Sequence, residues 1–240
     1  MINQIQNQKI ELNNYQSKQI QFYKKDNIYY LIFGGEFKTA DESAPIIADL
    51  LKDLLLADKS CEVHVFIQSY GGSVNCLNEI IEELRKFSNI VTICTSMAMS
   101  AGFLLWLLGN ERYISPMAAL MYHSMGWYGF VGDRIANIKN ELESCEVREL
   151  IMQEYFSIKD YLTEEEIKKG RMTEVYFSGI EAIKRKWAKS YSEYQHRLTY
   201  GIVQDKDGSL WKSDENGIFV QYKKVPKSKK LTLPQLNGFV

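Results

Sequence analysis

Apolar and polar residues recur along this chain with two different periods, and the switches between them divide it into elements. Ile28-Tyr29-Tyr30-Leu31-Ile32-Phe33 is a short continuous apolar run closed by Gly34-Gly35, which predicts a strand buried on both faces. From Ser43 the period lengthens. Ile46, Ile47, Leu50, Leu51, Leu54 and Leu55 recur at helical spacing, with Pro45 near the start, where a missing N–H costs little. Val63, Val65 and Ile67 then alternate as a strand. After Gly71-Gly72 a second helix places Val74, Leu77, Ile80, Ile81, Leu84 and Phe87 on one face and Glu79, Glu82, Glu83 and Arg85 on the other. Ile90-Val91-Thr92-Ile93-Cys94 reads as the next strand, Ala101 to Leu108 as a buried helix segment, and Arg112-Tyr113-Ile114 as a further strand.

Strands alternating with helices predict βαβ units, hence an α/β fold with a mainly parallel sheet and helices outside it. Gly132 to about Ile158 reads as one long helix carrying Ile135, Ile138, Leu142, Val147, Leu150 and Ile151. Thr163-Glu164-Glu165-Glu166 has the cap-and-acid pattern that opens a short helix. Near Ser190 the character shifts to turn clusters at Asp205–Gly208 and Ser213–Gly217, with β-like runs such as Gly217-Ile218-Phe219-Val220 between polar stretches. A basic tail follows, with Lys223, Lys224, Lys227, Lys229 and Lys230. It reads as a solvated end or as a docking segment. Three regions are expected: an N-terminal segment 1–27, a main domain 28–189 and a C-terminal extension 190–240.

Bulk properties narrow the classes. Apolar residues make up 45% of the 240, enough for a sizeable core. A formal net charge of −1 gives no global attraction for nucleic acid or an anionic membrane. No run reaches the roughly eighteen apolar residues of a membrane span. Met1 to Asn14 is rich in Asn and Gln and lacks the apolar centre of a secretory signal. Cys61, Cys76, Cys94 and Cys145 show no CxxC spacing, and three lie in apolar segments. Reduced thiols in a cytoplasmic compartment are therefore expected, with no metal and no cofactor.

The chemistry-bearing residues cluster between Gln68 and Met125. Ser100 lies in small surroundings, Met97-Ala98-Met99-Ser100-Ala101-Gly102, between a strand and an apolar helix. At such an entry the hydroxyl is either a helix cap or a nucleophile beside the orphan N–H groups of the first turn. Ser96 is a competing nucleophile. Of three histidines, His64 lies within a strand and His196 in the polar tail. His123, in Met121-Tyr122-His123-Ser124, ends an apolar segment and opens into a loop, where it serves either as a structural group or as a general base. Gly71-Gly72 lacks the Lys and Ser/Thr of a phosphate-binding loop, and reads as a tight turn or a source of oxyanion N–H groups.

Gln68-Ser69-Tyr70-Gly71-Gly72, Ser96-Met97-Ala98-Met99-Ser100-Ala101-Gly102 and Met121-Tyr122-His123-Ser124-Met125, in this order, resemble the Clp protease proteolytic-subunit (ClpP-like) family of serine endopeptidases. The resemblance covers roughly Ile28 to Trp187. It departs where Tyr70 stands for the family's proline, and it matches the nucleophile segment only in part. It implies a ClpP/crotonase-like spiral of ββα units, with Gly132–Ile158 as the long handle helix. It also implies Ser100 as nucleophile, His123 as general base, and Gly72 and Ala101 as oxyanion donors. The family's aspartate falls at Glu174, beside Ser178-Gly179-Ile180-Glu181-Ala182. Glu174 is either a third triad member or an exposed loop acid. The implied partners are polypeptide substrates, further copies of the chain in a heptameric ring or double ring, and an AAA+ ATPase unfoldase, with no nucleic acid and no membrane. The implied setting is the cytoplasm of a bacterium, whether the protein is its own or phage-encoded. Alternatives are a phage prohead maturation protease, a catalytically inactive ring subunit and a crotonase-type enzyme acting on acyl-CoA. Met97, Met99, Met125 and Trp127 suggest tolerance of apolar side chains next to the scissile bond.

Overall fold

A computed structural model describes residues 20–25, 27–37, 40–124, 135–200, 202–204, 210–213 and 219–223. The elements run β1 (Ile20–Lys25), β2 (Ile28–Phe37), α1 (Ala40–Leu56), β3 (Glu62–Gly72), α2 (Val74–Leu84), β4 (Asn89–Met99), α3 (Ala101–Leu107), β5 (Glu111–Ile114) and β6 (Ala119–Tyr122). Then follow α4 (Ile135–Tyr155), α5 (Ile158–Tyr161), α6 (Glu164–Gly170), β7 (Val175–Ser178), α7 (Gly179–Lys184), β8 (Lys189–Ser190), α8 (Tyr191–Tyr200), β9 (Ile202–Gln204), β10 (Leu210–Ser213) and β11 (Phe219–Lys223).

Strands β1 to β8 form one mixed sheet in the order β1-β2-β3-β4-β5-β8, with β6 branching from β4 and β7 from β6. The pairs from β2 through β5 to β8, and β4 with β6, are parallel; β1 on β2 and β7 on β6 are antiparallel. The branch arises because β4 is longer than the apolar run Ile90–Cys94 announces. Its first half, Val91–Cys94, pairs with β5, and its second half, Met97–Met99, pairs with β6. The extra length brings the chain to Ser100. β2 also runs on, through Gly34-Gly35, where a bulge with Gly35 at φ 100° lets the strand bend and continue to Phe37. β1 carried no strand expectation. It forms a hairpin with β2, turning at Asn27 (φ 70°) and stacking Phe22 on Tyr29.

The core lies where α1, α2 and α3 cover the sheet. Leu31, Phe33, Val63, Val65 and Ile67 from the strands meet Leu54, Leu77, Ile80, Leu84, Phe103 and Trp106 from the helices, all essentially inaccessible. Each such side chain contributes about 1.5–3 kcal/mol of burial. The periodicity of α2 is realised as written: Ser73 caps it through the Cys76 N–H, its apolar face is buried, and Glu79 and Glu82 are exposed. α6 carries the full capping box between Thr163 and Glu166.

The long helix differs from its expectation. It ends at Tyr155, and the left-handed Ser157 (φ 49°) separates it from α5. Its Leu142, Val147, Leu150 and Ile151 are 48–58% exposed in the single chain rather than turned to the core. Residues 132–134 of that prediction lie outside the described residues, as do 1–14, the Asp205–Gly208 turn, residues 214–218, and the basic positions 224, 227, 229 and 230. α8 docks on the sheet through the buried Tyr194, which joins Val91, Ile93 and Tyr113 in a second small cluster. The four cysteines are free thiols, Cys61, Cys76 and Cys94 buried. Among the described residues no helix is long and apolar enough to cross a membrane.

Candidate active site

Parallel strands deliver their following helices at the carboxyl ends, so helix N-termini and turns gather there. In this sheet β3 ends in Gly71-Gly72 before α2, and β4 ends in Met99 before Ser100 and α3. Ser100 occupies the cap position of α3 with φ 53° and ψ −121°, a conformation L-residues rarely adopt, and its side chain makes no capping hydrogen bond. The hydroxyl is therefore not spent on the helix. A strained strand-to-helix turn of this kind is how serine hydrolases on unrelated folds hold a nucleophile clear of its neighbours.

Small residues let the turn close. A Cβ built on Gly71 would lie 2.5 Å from Ser100 Cβ and 3.0 Å from its Oγ, so only glycine (φ 106°) fits against the serine. Gly102, in the first turn of α3, packs on Ser69, whose buried hydroxyl accepts the Gly71 N–H at 3.1 Å and fixes the bend. Gly72 (φ 126°) follows, packed on the Phe37 carbonyl. Ala101 is buried at the first position of α3, where main-chain N–H groups have no intrahelical acceptor. Gly71, rather than Gly72, is thus the glycine in direct contact with Ser100.

The main chain links Ser100 to the strand leading to His123. The Ser100 N–H donates to the Met121 carbonyl at 2.8 Å, and His123 lies two residues on, about 7 Å of strand. The β6–β7 register runs Ala119↔Ser178, Leu120↔Phe177, Met121↔Tyr176, Tyr122↔Val175, so extending the ladder by one pair would set His123 opposite Glu174. Leu120, Tyr122, Val175 and Phe177 point to the core, which leaves Met121, Tyr176 and the pair beyond them on the opposite face. His123 is half-buried and Glu174 exposed. The Glu174 carboxylate accepts a hydrogen bond from the Tyr176 hydroxyl at 3.0 Å, and that bond raises the tyrosine pKa.

Competing groups are weaker. Ser96 lies within β4 and its hydroxyl is buried without a partner among the described residues. Burial pushes the Cys94 thiol up to about 12, so no thiolate competes at neutral pH. His64 is fully buried, with Nδ1 2.7 Å from the Tyr194 hydroxyl and Nε2 on the Glu62 carboxylate, far from Ser100 along the strands. The residues that reading of the chain missed are Ser69 and Tyr176. The second had a signal: in Glu174-Val175-Tyr176 a strand period of two puts the acid and the phenol on one face. Met97 and Met99 flank the turn, half-buried; Met125 and Trp127 lie outside the described residues. Among the described residues no group of His, Cys, Asp and Glu could hold a metal ion.

The fold is thus an α/β sheet with a strained serine at the end of a parallel strand, a glycine packed on it, and its backbone tied to the strand that leads to His123. The chain matches the Clp protease family over residues 14–185, well over half of its 240 residues, and belongs to that family. It is 33% identical over 122 residues to the ATP-dependent Clp protease proteolytic subunit 1 of Leifsonia xyli subsp. xyli, across 50% of this chain and 59% of that protein. It is 29% identical over 157 residues to the ATP-dependent Clp protease proteolytic subunit 3 of Streptomyces avermitilis, across 63% of this chain and 69% of that protein. The chain thus spans 59% of the length of the first of these relatives.

Proposed function

We propose that this protein is a serine endopeptidase that cleaves polypeptides through an acyl-enzyme. Ser100 attacks the scissile carbonyl, His123 takes its proton and returns it to the leaving amine, and Glu174 orients the imidazole. The N–H groups of Gly72 and Ala101 bind the oxyanion. The observation that carries this reading is Ser100, held in a strained turn with its hydroxyl unused as a cap and its N–H bonded to β6, the strand that leads to His123. The Glu174 position opposite His123 in the extended register supports a Ser-His-Glu order. Catalytic hydrogen bonds in a free site commonly tighten only with substrate.

The finer architecture is part of the same proposal: a ClpP-like spiral of ββα units in 28–189, α4 as handle, a C-terminal extension in 190–240, and a bacterial cytoplasmic setting. The exposed Leu142, Val147, Leu150 and Ile151 of α4 support assembly into a ring of further copies. An AAA+ unfoldase is the partner that the ATP-dependent relatives suggest. A second reading, an inactive ring subunit, is favoured by one observation: the described bond of Glu174 is to Tyr176.

Fluorophosphonate labelling read by intact mass separates the two. One adduct on the full chain, absent from Ser100→Ala and His123→Ala, is expected for the peptidase. A folded oligomer with no adduct leaves the inactive subunit, and sedimentation showing only monomer at micromolar concentration removes the ring.

A further inference from the structure

His123 stands one residue past the last pair of the β6–β7 ladder, so the sheet does not hold it. Its two neighbours are held instead from one turn of α4. Ser124 Oγ donates to Glu149 Oε1 at 2.9 Å. Gln153 Nε2 donates to the same oxygen at 2.7 Å and to the Tyr122 hydroxyl at 3.3 Å. Arg171 Nε donates to that oxygen as well, at 3.2 Å. Gln153 is 7% exposed and the Glu149 side chain 16%, with the half-exposed Arg171 closing the outer side. The main chain adds a further constraint: the Ser124 N–H donates to the Gly170 carbonyl at 2.9 Å. A Cβ on Gly170 would fall 2.6 Å from the Tyr122 ring, so α6 and β6 meet without slack.

We infer that Glu149 is a positioning residue for His123, acting through Ser124 on one side of the histidine and, by way of Gln153, through Tyr122 on the other. The inference rests on His123 being the general base. A base works within about 2.6–3.2 Å of the proton it removes, and a displacement of about 1 Å costs roughly a hundredfold in rate. A histidine at a strand end needs its backbone aimed, and the residues on both sides of it are what Glu149 and Gln153 fix.

The test uses the full chain, with peptide hydrolysis and fluorophosphonate labelling rates measured for wild type, Glu149→Ala, Glu149→Gln and Ser124→Ala, beside Ser100→Ala, His123→Ala and unfolding midpoints. Glu149→Ala is expected to lower kcat and the labelling rate about tenfold with KM within about twofold, since orientation of the base is lost and substrate contacts are not. Ser124→Ala should lose about threefold. Glu149→Gln, whose amide oxygen still accepts from Ser124, should recover most of the rate. If Glu149→Ala fails to fold, Ser124→Ala decides. Rates per folded molecule equal to wild type, or a Glu149→Gln variant no better than Glu149→Ala, overturn the assignment while leaving His123 as base. A wild type without adduct, or one whose labelling survives His123→Ala, removes the base and the assignment together.

Discussion

His64 and His123 lie towards opposite ends of one mixed sheet, and their surroundings differ. At the amino end of β3, His64 is inaccessible and both ring nitrogens are engaged, by Tyr194 and Glu62. Glu62 in turn accepts from Arg197 through both oxygens at 2.9 Å. Burial works against charge on Glu62, yet His64, Arg197 and Asn89 together hold its pKa down to about 2. These bonds clasp α8 to the sheet. At the carboxyl end Ser100 is strained, its hydroxyl is unused as a cap and His123 is half-open. The satisfied end contributes stability. The other end holds Ser100 in a conformation that costs stability.

That contrast can be broken from either side. The largest effect is expected from Ser100→Gly. It should abolish labelling and turnover, a loss on the order of 10⁴-fold, while raising stability by about 1 kcal/mol as the positive φ relaxes. Equal stability to wild type would mean the turn is unstrained. Gly71→Ala comes next. Its new Cβ strikes Ser100, so labelling should fall about a hundredfold and stability by roughly 2 kcal/mol, read by labelling rate and urea midpoint.

At the other end, Arg197→Ala takes the guanidinium from the half-buried Glu62 carboxylate and leaves it to His64 and Asn89. It should cost about 3 kcal/mol in denaturant unfolding with little change in rate per folded molecule. The mildest probe is acid. The Glu62 pKa lies below its ordinary 4.5 in the folded chain, so its contribution is complete above about pH 4.5 and is lost as pH falls towards 2. Glu62→Gln should flatten that limb of the stability profile. A wild-type profile without the limb would place the clasp's stability elsewhere.

Much of the chain could be read in advance where local pattern and burial agree. α2, the Thr163 cap and the strand–helix alternation follow from period alone, and Ser100 and His123 could be singled out because few residues of their type occupy the right kind of junction. β1 escaped notice because Gln21, Lys24 and Lys25 give an edge hairpin no apolar run. The end of α4 was misplaced because Ser157 adopts a left-handed turn that no glycine or proline announces. Tyr194 and Arg197 looked like tail residues, since nothing near them in sequence names Glu62 and His64 as partners.

The sequence by itself determined the α/β class, the family resemblance and the candidate residues for the chemistry, because periodicity and residue type are local properties. Only the tertiary structure decided that Gly71 packs against Ser100, that the β6–β7 ladder stops one residue short of His123 and Glu174, and that Glu149 and Gln153 bond the residues on either side of His123. Those are relations between segments about 25 to 50 residues apart, set by strand register and packing, and no local pattern encodes register.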